Sequence, residues 1–504
     1  MRILSSAQTR KVDQLTIERQ QLGSAELMER AGERLFTALT AHSAIRQDLP
    51  IYVLCGSGNN GSDGLVLARL LQQADYQVQV WHAQIGTATQ ENQLNRDRFQ
   101  QLPNAAYYPI EQGANFPPFV SEEGIFIDAL FGAGLSRPIT DYWADLVEYI
   151  NQANCFTVAV DLPSGIPGEG VVSGAAIQAE WTLCIELPKL SVLLADHAAY
   201  IGEWTTVSID LDQEAMVAET PLAILAEPHL LSPLLQQRGT FDHKGTFGHA
   251  AIIAGSHGKM GACLLAARGA LRAGAGLISV HIPGCGYQIM QMAFPEAMCV
   301  VDEHQYLMSQ VAAIDAYQAI GVGPGLGQNI ITEDALADLL QRAEQPMVLD
   351  ADALNILGRR QDLWPIIPAG SILTPHPKEF DRLFGEQVSH FRRSDRLQEM
   401  SAQLQCIIVL KGGYTFIASP DQPLWINTSG NPGMGTGGSG DVLTGILTGL
   451  LAQGYAPYDA ARLGVYLHGL AGDLAAAEEE QEAVIASDLV NYLGKAFGRL
   501  RAAN

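Results

Sequence analysis

Short apolar runs alternate with stretches of helical period along most of this chain. The first 45 residues are helical in period, and one face of that pattern holds Met28, Ala31, Leu35 and Leu39. From there on, the pattern predicts strands at 51–55, 77–81, 125–128, 156–161, 181–186 and 205–209. Stretches between them, such as 63–73 and 141–153, have helical character. A β-α-β alternation of this kind is typical of an α/β domain with a mostly parallel sheet.

The alternation is interrupted near the middle of the chain. Residues 211–235 lose it, gather acidic side chains and contain three prolines, which is typical of a connector. Beyond it, strands are predicted at 250–255, 277–282, 319–323, 346–351, 371–374 and 406–412. A helix rich in Gly and Ala is predicted at 260–273, and a longer helical run covers 457–500. We therefore predict two α/β domains, 1–220 and 221–504.

Composition argues against several classes of partner. The chain has 504 residues, with 30 Lys and Arg against 54 Asp and Glu, so its formal charge is −24. Nucleic acid binding depends on clustered cations, which this balance does not favour. No apolar stretch approaches the ~18 residues of a membrane span, and the N-terminus lacks the apolar core of a signal peptide. The seven cysteines show no CxxC spacing, so we expect reduced thiols in a cytoplasmic protein.

A glycine-rich loop follows the first predicted strand. The segment GSGNNGSDG at 56–64 leads from that strand into a helix, where unpaired N–H groups and the positive helix end favour a phosphate. Its glycines let the backbone approach a ligand closely. The segment is not a GxGxxG fingerprint. Taken alone, it is equally well explained as a tight turn.

Polar side chains follow two further strands of the same predicted sheet. Asp128 ends the run at 125–128, and Asp161 and Ser164 follow the run at 156–161. Asp128 can also be explained as a helix N-cap and Ser164 as a turn residue. Ligands of open parallel sheets bind outside the carboxyl ends of the strands, so we expect these groups to converge. The oxygen donors of Asn60, Asp128 and Ser164 suit a hard cation rather than zinc.

The most specific motif lies in the second half of the chain. The segment GNPGMGTGGSGDVLTGIL at 430–447 runs from glycine-rich backbone into a helix beginning near Gly440. Such a loop can hold a transferring phosphoryl group, although no GK[ST] follows as in a Walker A motif. Asp441 is either a helix N-cap or a base that removes a proton from a substrate hydroxyl. Within GTGGSGD we favour the base.

Other segments of the second half accompany that motif. VLKGGYT at 409–415 places Lys411 after a strand, where it can contact nucleotide phosphates or lie in a simple surface turn. TPHPKEF at 374–380 places His376 between two prolines, in a binding or a purely structural role. GVGPGLG at 321–327 and HKGTFGH at 243–249 are further glycine-containing loops, and Lys259 to Ala262 begin the small-residue helix.

Together these motifs resemble one family across essentially the whole chain. GxGNNGxDG, HKGTFGH and GNPGMGTGGSGDVLTG, in this order, are similar to the bifunctional NAD(P)H-hydrate repair enzymes, an NAD(P)HX epimerase fused to an ADP-dependent NAD(P)HX dehydratase. The resemblance implies a Rossmann-like three-layer N-terminal domain and a ribokinase-like α/β C-terminal domain. It also implies isomerase and lyase activities: R- and S-NAD(P)HX are interconverted, and S-NAD(P)HX is dehydrated while ADP yields AMP and phosphate. Nothing in the local sequence distinguishes ADP from ATP.

The resemblance also implies roles for individual residues of the first domain. Asp161 is the candidate catalytic acid or base, and Asn60, Asp128 and Ser164 are the candidate K⁺ ligands. The dinucleotide-binding positions, besides Asp161, are Asn59, Asn60, Gly61, Ser62, Asp63, Gly132, Ala133, Gly134, Leu135, Ser136, Arg137 and Pro138. Ser62 replaces a glycine that is common in the family.

In the second domain, Asp441 is the candidate catalytic base. Ala262, Gly325 and His376 match positions that bind the hydrate. The positions that match the adenine-nucleotide site are Lys411, Gly412, Gly413, Tyr414, Thr415 and Gly440. Mg²⁺ is expected with the nucleotide. The expected partners are NADHX or NADPHX, ADP and further copies of the chain in a homo-oligomer, without nucleic acid or membrane.

Two other functions are compatible with part of the pattern. A ribokinase-like kinase would phosphorylate an alcohol and release the ester, and the GTGGSGD motif alone permits this. The first domain could also be a non-catalytic binding module. Asp128 and Asp161 argue against a silent first domain, because they would have no role in it.

Overall fold

The computed structural model describes residues 1–121, 123–135 and 137–503, and the chain divides into two compact units. The first contains Met1–Ala223 with Ser389–Phe391, and the second contains Ile224–Val388 with Arg392–Asn504. The change from one unit to the other therefore falls within the proline-containing connector at 211–235. Among the described residues, no helix has both the length and the apolar character needed to cross a membrane.

The first unit alternates strands and helices as its apolar pattern predicts. Its strands are β1 Arg2–Ile3, β2 Ile51–Cys55, β3 Val78–Ala83, β4 Ala106–Ile110, β5 Gly124–Ala129, β6 Cys155–Val160, β7 Trp181–Ile185 and β8 Glu203–Val207. Its α-helices are α1 Ser6–Gln20, α2 Ser24–Thr40, α3 Asn59–Gln73, α4 Gln90–Gln100, α5 Asp141–Asn151, α6 Ala198–Ile201 and α7 Gln213–Ala218.

Seven strands of this unit form one parallel sheet in the order β4-β3-β2-β5-β6-β7-β8. All five residues of β2 are buried, which requires cover on both faces. Val53 packs with side chains of α2 and α3, whereas Leu54 packs with those of α5. The unit is thus a three-layer α/β/α sandwich, as predicted. The strand order reverses between β2 and β5, which is where sheets of this type bind ligands.

The prediction missed α4 and placed the start of α3 four residues late. The buried side chains of α4 are Asn92, Asn95 and Phe99, so the helix has no apolar stripe for a pattern to reveal. The first turn of α3 is NNGS, whose residues have low helix propensity. Tertiary contacts, described below, hold that turn in place.

The second unit has the larger number of elements. Its strands are β9 Ala223–Leu225, β10 His249–Ile253, β11 Leu277–Ile282, β12 Met298–Val301, β13 Ala319–Val322, β14 Met347–Leu349, β15 Ile372–Leu373, β16 Ile407–Leu410, β17 Thr415–Ala418 and β18 Leu424–Asn427. Its α-helices are α8 Pro228–Leu231, α9 Met260–Arg272, α10 Tyr287–Ala293, α11 Ile330–Arg342, α12 Ala351–Arg359, α13 Pro377–Phe384, α14 His390–Leu404, α15 Ser439–Ala452, α16 Pro457–Glu479 and α17 Ala486–Arg501.

The sheet of the second unit runs β9-β18-β17-β16-β15-β14-β13-β10-β11-β12. It is parallel from β16 to β12, and β16, β17 and β18 pair antiparallel. Ala250 and Ile252 of β10 pack in the core that includes α9 and α15. Ala251 and Ile253 point to the opposite face by the strand pleat and are equally buried. Both faces of this sheet are therefore covered as well.

Helices α9 and α15 approach each other at backbone distance. A Cβ on Gly445 would lie 2.0 Å from the carbonyl oxygen of Ala266, and one on Gly449 would lie 2.4 Å from that of Ala270. The small-residue pattern at 260–273 therefore permits close packing, as predicted. The contact joins two helices whose first turns carry candidate site residues.

Several boundaries in this unit differ from the prediction. The strand predicted at 346–351 ends at Leu349, because Asp350 begins α12 as its N-cap residue. The predicted helical run at 457–500 is two helices, separated by a 3₁₀ turn at Gln481–Ala483. The β17–β18 hairpin and helices α11 to α14 were not predicted.

All seven cysteines are free thiols. Cys55, Cys184, Cys263 and Cys406 are buried, and the other three are half-buried. Burial raises the pKa of Cys184 and of Cys406 to about 12, so these thiols stay protonated and unreactive near neutral pH.

Candidate active sites

A cavity of about 1240 Å³ opens at the carboxyl ends of β2, β5 and β6 in the first unit. This is larger than the roughly 300–1,000 Å³ of most small-molecule pockets, as a dinucleotide requires. The predicted residues that line it are Asn59, Asn60, Asp63, Gly132, Ala133, Gly134, Leu135, Arg137, Pro138 and Asp161. Ser136 lies outside the described residues. The structure therefore brings most of the predicted positions to one wall.

The loop after β2 is shaped by contacts that exclude side chains. A Cβ on Gly61 would lie 1.9 Å from the carbonyl oxygen of Gly56, and one on Gly56 would lie 2.0 Å from that of Leu130. Asn59 and Asn60 begin α3, so the free N–H groups of its first turn face the cavity. The segment is therefore a tight turn and is also suited to binding an anion, so the two interpretations of this loop from the sequence are compatible.

Gly61 and Ser62 do not line the cavity, although both were predicted to bind the dinucleotide. Ser62 is fully buried, and its hydroxyl accepts a hydrogen bond of 3.0 Å from Nδ2 of Asn95 on α4. Neighbouring Asn92 donates 2.8 and 3.3 Å hydrogen bonds to the carbonyls of Gly56 and Gly58. Helix α4, which the sequence did not predict, therefore holds the glycine loop from behind.

The second loop, residues 131–138, completes the wall. A Cβ on Gly132 would lie 3.3 Å from Cγ of Asn60 and 3.3 Å from Oδ2 of Asp161, so the three strand ends meet here. A Cβ on Gly134 would lie 3.3 Å from the guanidinium of Arg10. Arg10 and Arg137 both line the cavity and supply positive charge for a pyrophosphate.

Asp161 contacts a buried lysine. Its φ of +68° is unusual for a residue other than glycine, and the backbone there turns sharply at the end of β6. Its Oδ1 accepts a short hydrogen bond from Nζ of Lys189, which also contacts the carbonyl of Leu187 at 3.1 Å. Burial alone would lower the pKa of Lys189, but Asp161 outweighs it and raises that pKa. Lys189 is therefore a cation beside the candidate catalytic carboxylate.

Two further carboxyl groups face the same lysine. Burial raises the pKa of Asp13 to about 6, with Lys189 opposing the shift and Asp161 adding to it. Burial, then Asp161 and Asp13, raises the pKa of Asp63 well above its usual range. One ammonium thus serves three carboxyl groups, and two of them tend to hold protons.

Behind the loop wall, Asp128 and Ser164 form a fully buried pair. Asp128 accepts 2.6 Å hydrogen bonds from the backbone N–H and the hydroxyl of Ser164, and one of 3.1 Å from the N–H of Leu130. Asp128 lies within β5 and does not cap a helix. Burial raises the pKa of Asp128 to about 6, and the hydrogen bonds from Ser164 and Leu130 oppose that shift only in part.

These groups fit a monovalent cation. Nδ2 of Asn60 is buried and has no hydrogen-bond partner among the described residues. Exchange of the amide nitrogen and oxygen, which have nearly the same shape, would place an oxygen at that position. An amide oxygen, a hydroxyl and a buried carboxylate are ligands of hard cations.

In the second unit, Asp441 occupies the third position of α15. The N-cap is Gly438, at φ +97°, and no side chain caps this helix. The N-cap interpretation of Asp441 is therefore wrong. Burial raises its pKa to about 6, Asp350 and Asp352 add to the shift, and Lys411 opposes it. Asp441 is a partly buried carboxyl group at a helix N-terminus, with a pKa close to the working range of a general base.

Lys411 and Asp350 form the fixed charges beside Asp441. Nζ of Lys411 lies 2.9 Å from Oδ1 of Asp350, whose Oδ2 accepts a 2.7 Å hydrogen bond from the Thr444 hydroxyl. A Cβ on Gly440 would lie 3.4 Å from Nζ of Lys411. Lys411 is thus paired with the buried Asp350 carboxylate, beside the start of α15, and does not lie in a simple surface turn.

The predicted hydrate-binding glycine and alanine lie together at the start of α9. A Cβ on Gly325 would be 3.1 Å from Cβ of Ala262 and 2.9 Å from the carbonyl oxygen of Lys259. Asp352 joins this group to α12, since it accepts a 2.8 Å hydrogen bond from the N–H of Gly327. It also accepts a 2.7 Å hydrogen bond from Nε2 of Gln328 and lies 3.6 Å from Nζ of Lys259.

His376 combines a structural role with proximity to the site. Its Nδ1 accepts hydrogen bonds from the N–H groups of Lys378 and Glu379, so it caps α13. Burial lowers its pKa, and Lys411 also lowers it. The N–H of Lys411 donates to the carbonyl of Pro375 at 2.9 Å, which places the two strand ends side by side. Gly412, Gly413 and Tyr414 form the turn between β16 and Thr415, the first residue of β17.

The sequence did not single out several residues of these sites. Asp350 lies at the end of the strand predicted at 346–351, the same signal that identified Asp128 and Asp161, so it could have been found. Asp13 lies in α1, a mostly polar helix that buries only Val12 and Thr16, and Lys189 lies in a loop; neither position carries a motif. Only the fold brings them to the cavity.

Comparison with known proteins identifies both halves of the chain. The family model of the YjeF-related protein N-terminus matches residues 24–191, and the model described as NAD(P)H-hydrate dehydratase matches 250–495. The bifunctional NAD(P)H-hydrate repair enzyme Nnr of Moorella thermoacetica is 35% identical over 98% of this chain and 96% of its own length. The protein of that name in Escherichia coli is 34% identical over 93% of this chain and 88% of its own.

Solved structures also match the second unit, among them the structure of an enzyme. The ADP/ATP-dependent NAD(P)H-hydrate dehydratase from Bacillus subtilis, co-crystallised with ATP and Mg²⁺, is 34% identical with a TM-score of 0.50. The match covers 55% of this chain and 98% of that one. It confirms the predicted fold of the second unit.

Proposed function

The chain belongs to the family of bifunctional NAD(P)H-hydrate repair enzymes, and we propose that each of its two units carries one of the two activities. The enzyme interconverts the R and S hydrates of NADH and NADPH and dehydrates the S hydrate to NAD(P)H with ADP, releasing AMP and phosphate. The observation that carries the assignment is the presence of two separately built sites, each with a carboxyl group beside a lysine and a glycine-rich loop at a helix start.

In the first unit, the dinucleotide binds in the cavity of the parallel sheet. The first-turn N–H groups of α3 and the cations Arg10 and Arg137 hold its pyrophosphate. Asp161 exchanges protons with the reacting nicotinamide ring, and Lys189 orients that carboxylate through a short hydrogen bond. Support for Asp161 is its position where the three strand ends meet.

We propose that Asn60, Asp128 and Ser164 hold K⁺ beside this cavity. The support is the buried Asp128 carboxylate and the amide nitrogen of Asn60, which have no ion-pair partner and no hydrogen-bond partner, respectively, in the part of the chain that the structure describes. A bound K⁺ supplies positive charge that holds the loop from Leu130 to Gly132 in place. Asp128 and Ser164 already fix that loop through hydrogen bonds to the backbone of Leu130 and Phe131.

In the second unit, Asp441 removes the proton from the C6 hydroxyl of the S hydrate. The hydroxyl oxygen then attacks the β-phosphorus of ADP, and the bond to the bridging oxygen breaks, so AMP leaves. The C6 phosphate ester next loses phosphate as a C5 proton departs, which restores the C5=C6 double bond. Lys411 and the N–H groups at the start of α15 stabilise the phosphoryl oxygens.

Mg²⁺ fits the charge distribution around Asp441. Asp350 and Asp352 raise the pKa of Asp441, so the region carries more negative charge than Lys411 offsets. A divalent cation arriving with the nucleotide neutralises phosphoryl charge, and these carboxylates are the oxygen donors that it prefers. Gly440 leaves room beside Lys411 for the phosphates.

We also propose that the enzyme acts in the cytoplasm as a homo-oligomer. The seven unpaired thiols support a reducing compartment. Exposed apolar side chains at the sheet edge support self-association, namely Tyr287 and Met292 of α10 and Met298 and Val301 of β12. Light scattering on the purified protein tests this, and a monomeric mass at micromolar concentration contradicts it.

The decisive experiment is to incubate the protein with mixed R- and S-NADHX, Mg²⁺ and K⁺, adding ADP or ATP in parallel. Recovery of NADH absorbance and the nucleotide products are followed together. Complete recovery from both epimers, with AMP and free phosphate from ADP, is expected. Recovery that stops with R-NADHX left over excludes the epimerase, and release of a phosphate ester instead of phosphate favours a small-molecule kinase.

A further inference from the structure

Asp13 is a carboxyl group that none of the sequence motifs includes. It lies on α1, before the segment that the N-terminal family model matches, and its side chain lines the cavity of the first unit. The same cavity is lined by Asp161 and Lys189, which come from the ends of other elements. Asp13 is therefore placed to reach the molecule that Asp161 reaches, from a different wall.

The charges that face Asp13 come from four elements. Lys189 and Glu186 lie in the loop after β7, Asp161 follows β6, Asp63 lies on α3, and Arg10 lies one turn earlier on α1. The Lys189 ammonium is already in contact with Asp161. One cation serves several carboxyl groups: it contacts Asp161 directly, whereas Asp13, whose pKa burial raises to about 6, tends to be protonated.

We propose that Asp13 is the acid that works with Asp161 as the base in epimerisation of the hydrate. The proposal rests on the proposed epimerase function of the first unit and adds a second catalytic residue to it. Reactions that make and break a bond at one carbon need a group that takes a proton and another that gives one. Two carboxyl groups whose surroundings separate their protonation states meet that need.

The proton transfers balance without any further reactant. Asp161 takes the proton of the C6 hydroxyl as the C6–N1 bond breaks, which leaves an aldehyde at C6 and the bonding electron pair on N1. Asp13 gives its proton to N1. After rotation about C5–C6, N1 attacks the other face of the carbonyl, returns its proton to Asp13, and the new C6 oxygen regains its proton from Asp161.

Asp63 is the other candidate for the acid, and two observations disfavour it. Burial and its neighbours keep the pKa of Asp63 well above its usual range, so it does not release a proton readily. The pKa of Asp13, raised to about 6 by burial, allows it to give and regain a proton near neutral pH. Asp63 is instead a neutral carboxyl group near the start of α3.

The test uses the full chain with Asp13→Asn, Asp13→Glu and, as the matched control, Glu18→Gln. Glu18 is an exposed carboxylate on the same helix and does not line the cavity. Epimerisation of pure R-NADHX is followed by chromatography without ADP, between pH 5 and 9. Dehydration of S-NADHX with ADP is measured on the same samples, and thermal unfolding checks the fold.

Loss of a general acid costs about 100-fold or more in rate. We therefore expect Asp13→Asn to lower kcat for epimerisation by at least that factor with little change in KM. Wild-type epimerisation should slow as pH rises through the pKa of the acid, because only the protonated form can give a proton. Asp13→Asn should lack this alkaline limb of the pH profile. Asp13→Glu should restore part of the rate and the limb, and Glu18→Gln should behave as wild type.

Three other outcomes overturn the proposal. A folded Asp13→Asn protein with wild-type kcat, or one that is slow but keeps the alkaline limb, shows that Asp13 is not the acid. A change in KM alone assigns Asp13 to binding. If the wild-type protein itself does not epimerise R-NADHX, the proposed function of the first unit is wrong. That outcome is seen without the variants, so it is distinguishable from a failure of the Asp13 proposal.

Discussion

The two sites place a carboxylate and a lysine together in opposite ways. In the first unit, Lys189 contacts Asp161, the candidate catalytic carboxylate, and leaves Asp13 and Asp63 with raised pKa values. In the second unit, Lys411 contacts Asp350, a supporting carboxylate. The candidate catalytic group there, Asp441, is the one whose pKa is raised. The lysine therefore contacts the candidate base itself in the first unit and a neighbouring carboxylate in the second.

This difference matches the two reactions. Epimerisation returns every proton that it removes, so a charged base must work beside a group that already holds a proton. Phosphoryl transfer needs a base poised near neutral pH and a cation aimed at phosphate oxygens, and Lys411 supplies the latter while moderating the pKa of Asp441. A glycine loop with an aspartate is thus compatible with either chemistry.

The largest expected effect comes from removing the base of the second unit. Asp441→Asn should lower ADP-dependent dehydration of S-NADHX by about 1,000-fold, within the range for loss of a general base. Epimerisation should stay within twofold of wild type, because the first unit is unchanged. Measuring both reactions on one preparation makes each the control for the other. Asp315→Asn, at an exposed carboxylate, is the matched substitution and should leave both rates unchanged.

A fall of both activities in Asp441→Asn would break the comparison, because it would mean that the two reactions share a group. A dehydration rate within tenfold of wild type would show that Asp441 is not the base and that it only positions the loop.

Motifs at strand ends were predictable from the sequence, and their electrostatic partners were not. Asp128, Asp161 and Asp441 each follow a recognisable strand or glycine loop, so local pattern and topology identify them. Lys189 reaches the cavity from a loop and Asp13 from a mostly polar helix, and both sequences are compatible with many surface positions. The parallel sheets were predictable because their strands are nearly continuous apolar runs. Helix α4 was not, since it buries amide side chains.

The second largest effect is expected from substituting the lysine of each site, Lys411 or Lys189. Lys411→Met leaves Asp350 buried and unpaired, which should lower the free energy of unfolding of the second unit by about 3–5 kcal/mol, measured by urea denaturation. The dehydration rate should fall, and its acid limb should move to higher pH, because Lys411 lowers the pKa of the Asp441 base. Asp350→Asn added to Lys411→Met should recover most of the stability but not the rate.

Lys189→Met sharpens the comparison, because it removes the charge partner of the base itself. Epimerisation should slow in this variant because the Lys189 contact that orients the Asp161 carboxylate is lost, whereas dehydration should not change. An unchanged epimerisation rate would show that Lys189 acts only in packing.

A third, smaller effect tests the glycine loop of the first unit. Gly61→Ala would place a Cβ 1.9 Å from the carbonyl oxygen of Gly56, so the loop must move. Overpacking of this kind costs about 1–3 kcal/mol in unfolding free energy, and epimerisation should fall at least tenfold because the N–H groups of α3 lose their positions. Gly58→Ala is the matched control, since a Cβ there meets nothing within 4 Å. Equal rates in both variants would show that the loop geometry does not matter for epimerisation.

The smallest effect is expected at Ser62, where this chain departs from the glycine common in its family. The Ser62 hydroxyl contacts Asn95 at 3.0 Å and does not face the cavity, so it stabilises the loop from behind and takes no part in binding. Ser62→Gly should leave the KM for R-NADHX within twofold of wild type and lower the unfolding free energy by about 1 kcal/mol, the usual loss of one buried hydrogen bond. Asn95→Ala should destabilise similarly, and the double variant should cost less than the sum, because both changes remove the same contact. A tenfold rise in KM for Ser62→Gly would instead show that the hydroxyl contacts the dinucleotide. The first site would then bind its ligand through a side chain that has no counterpart in the second site.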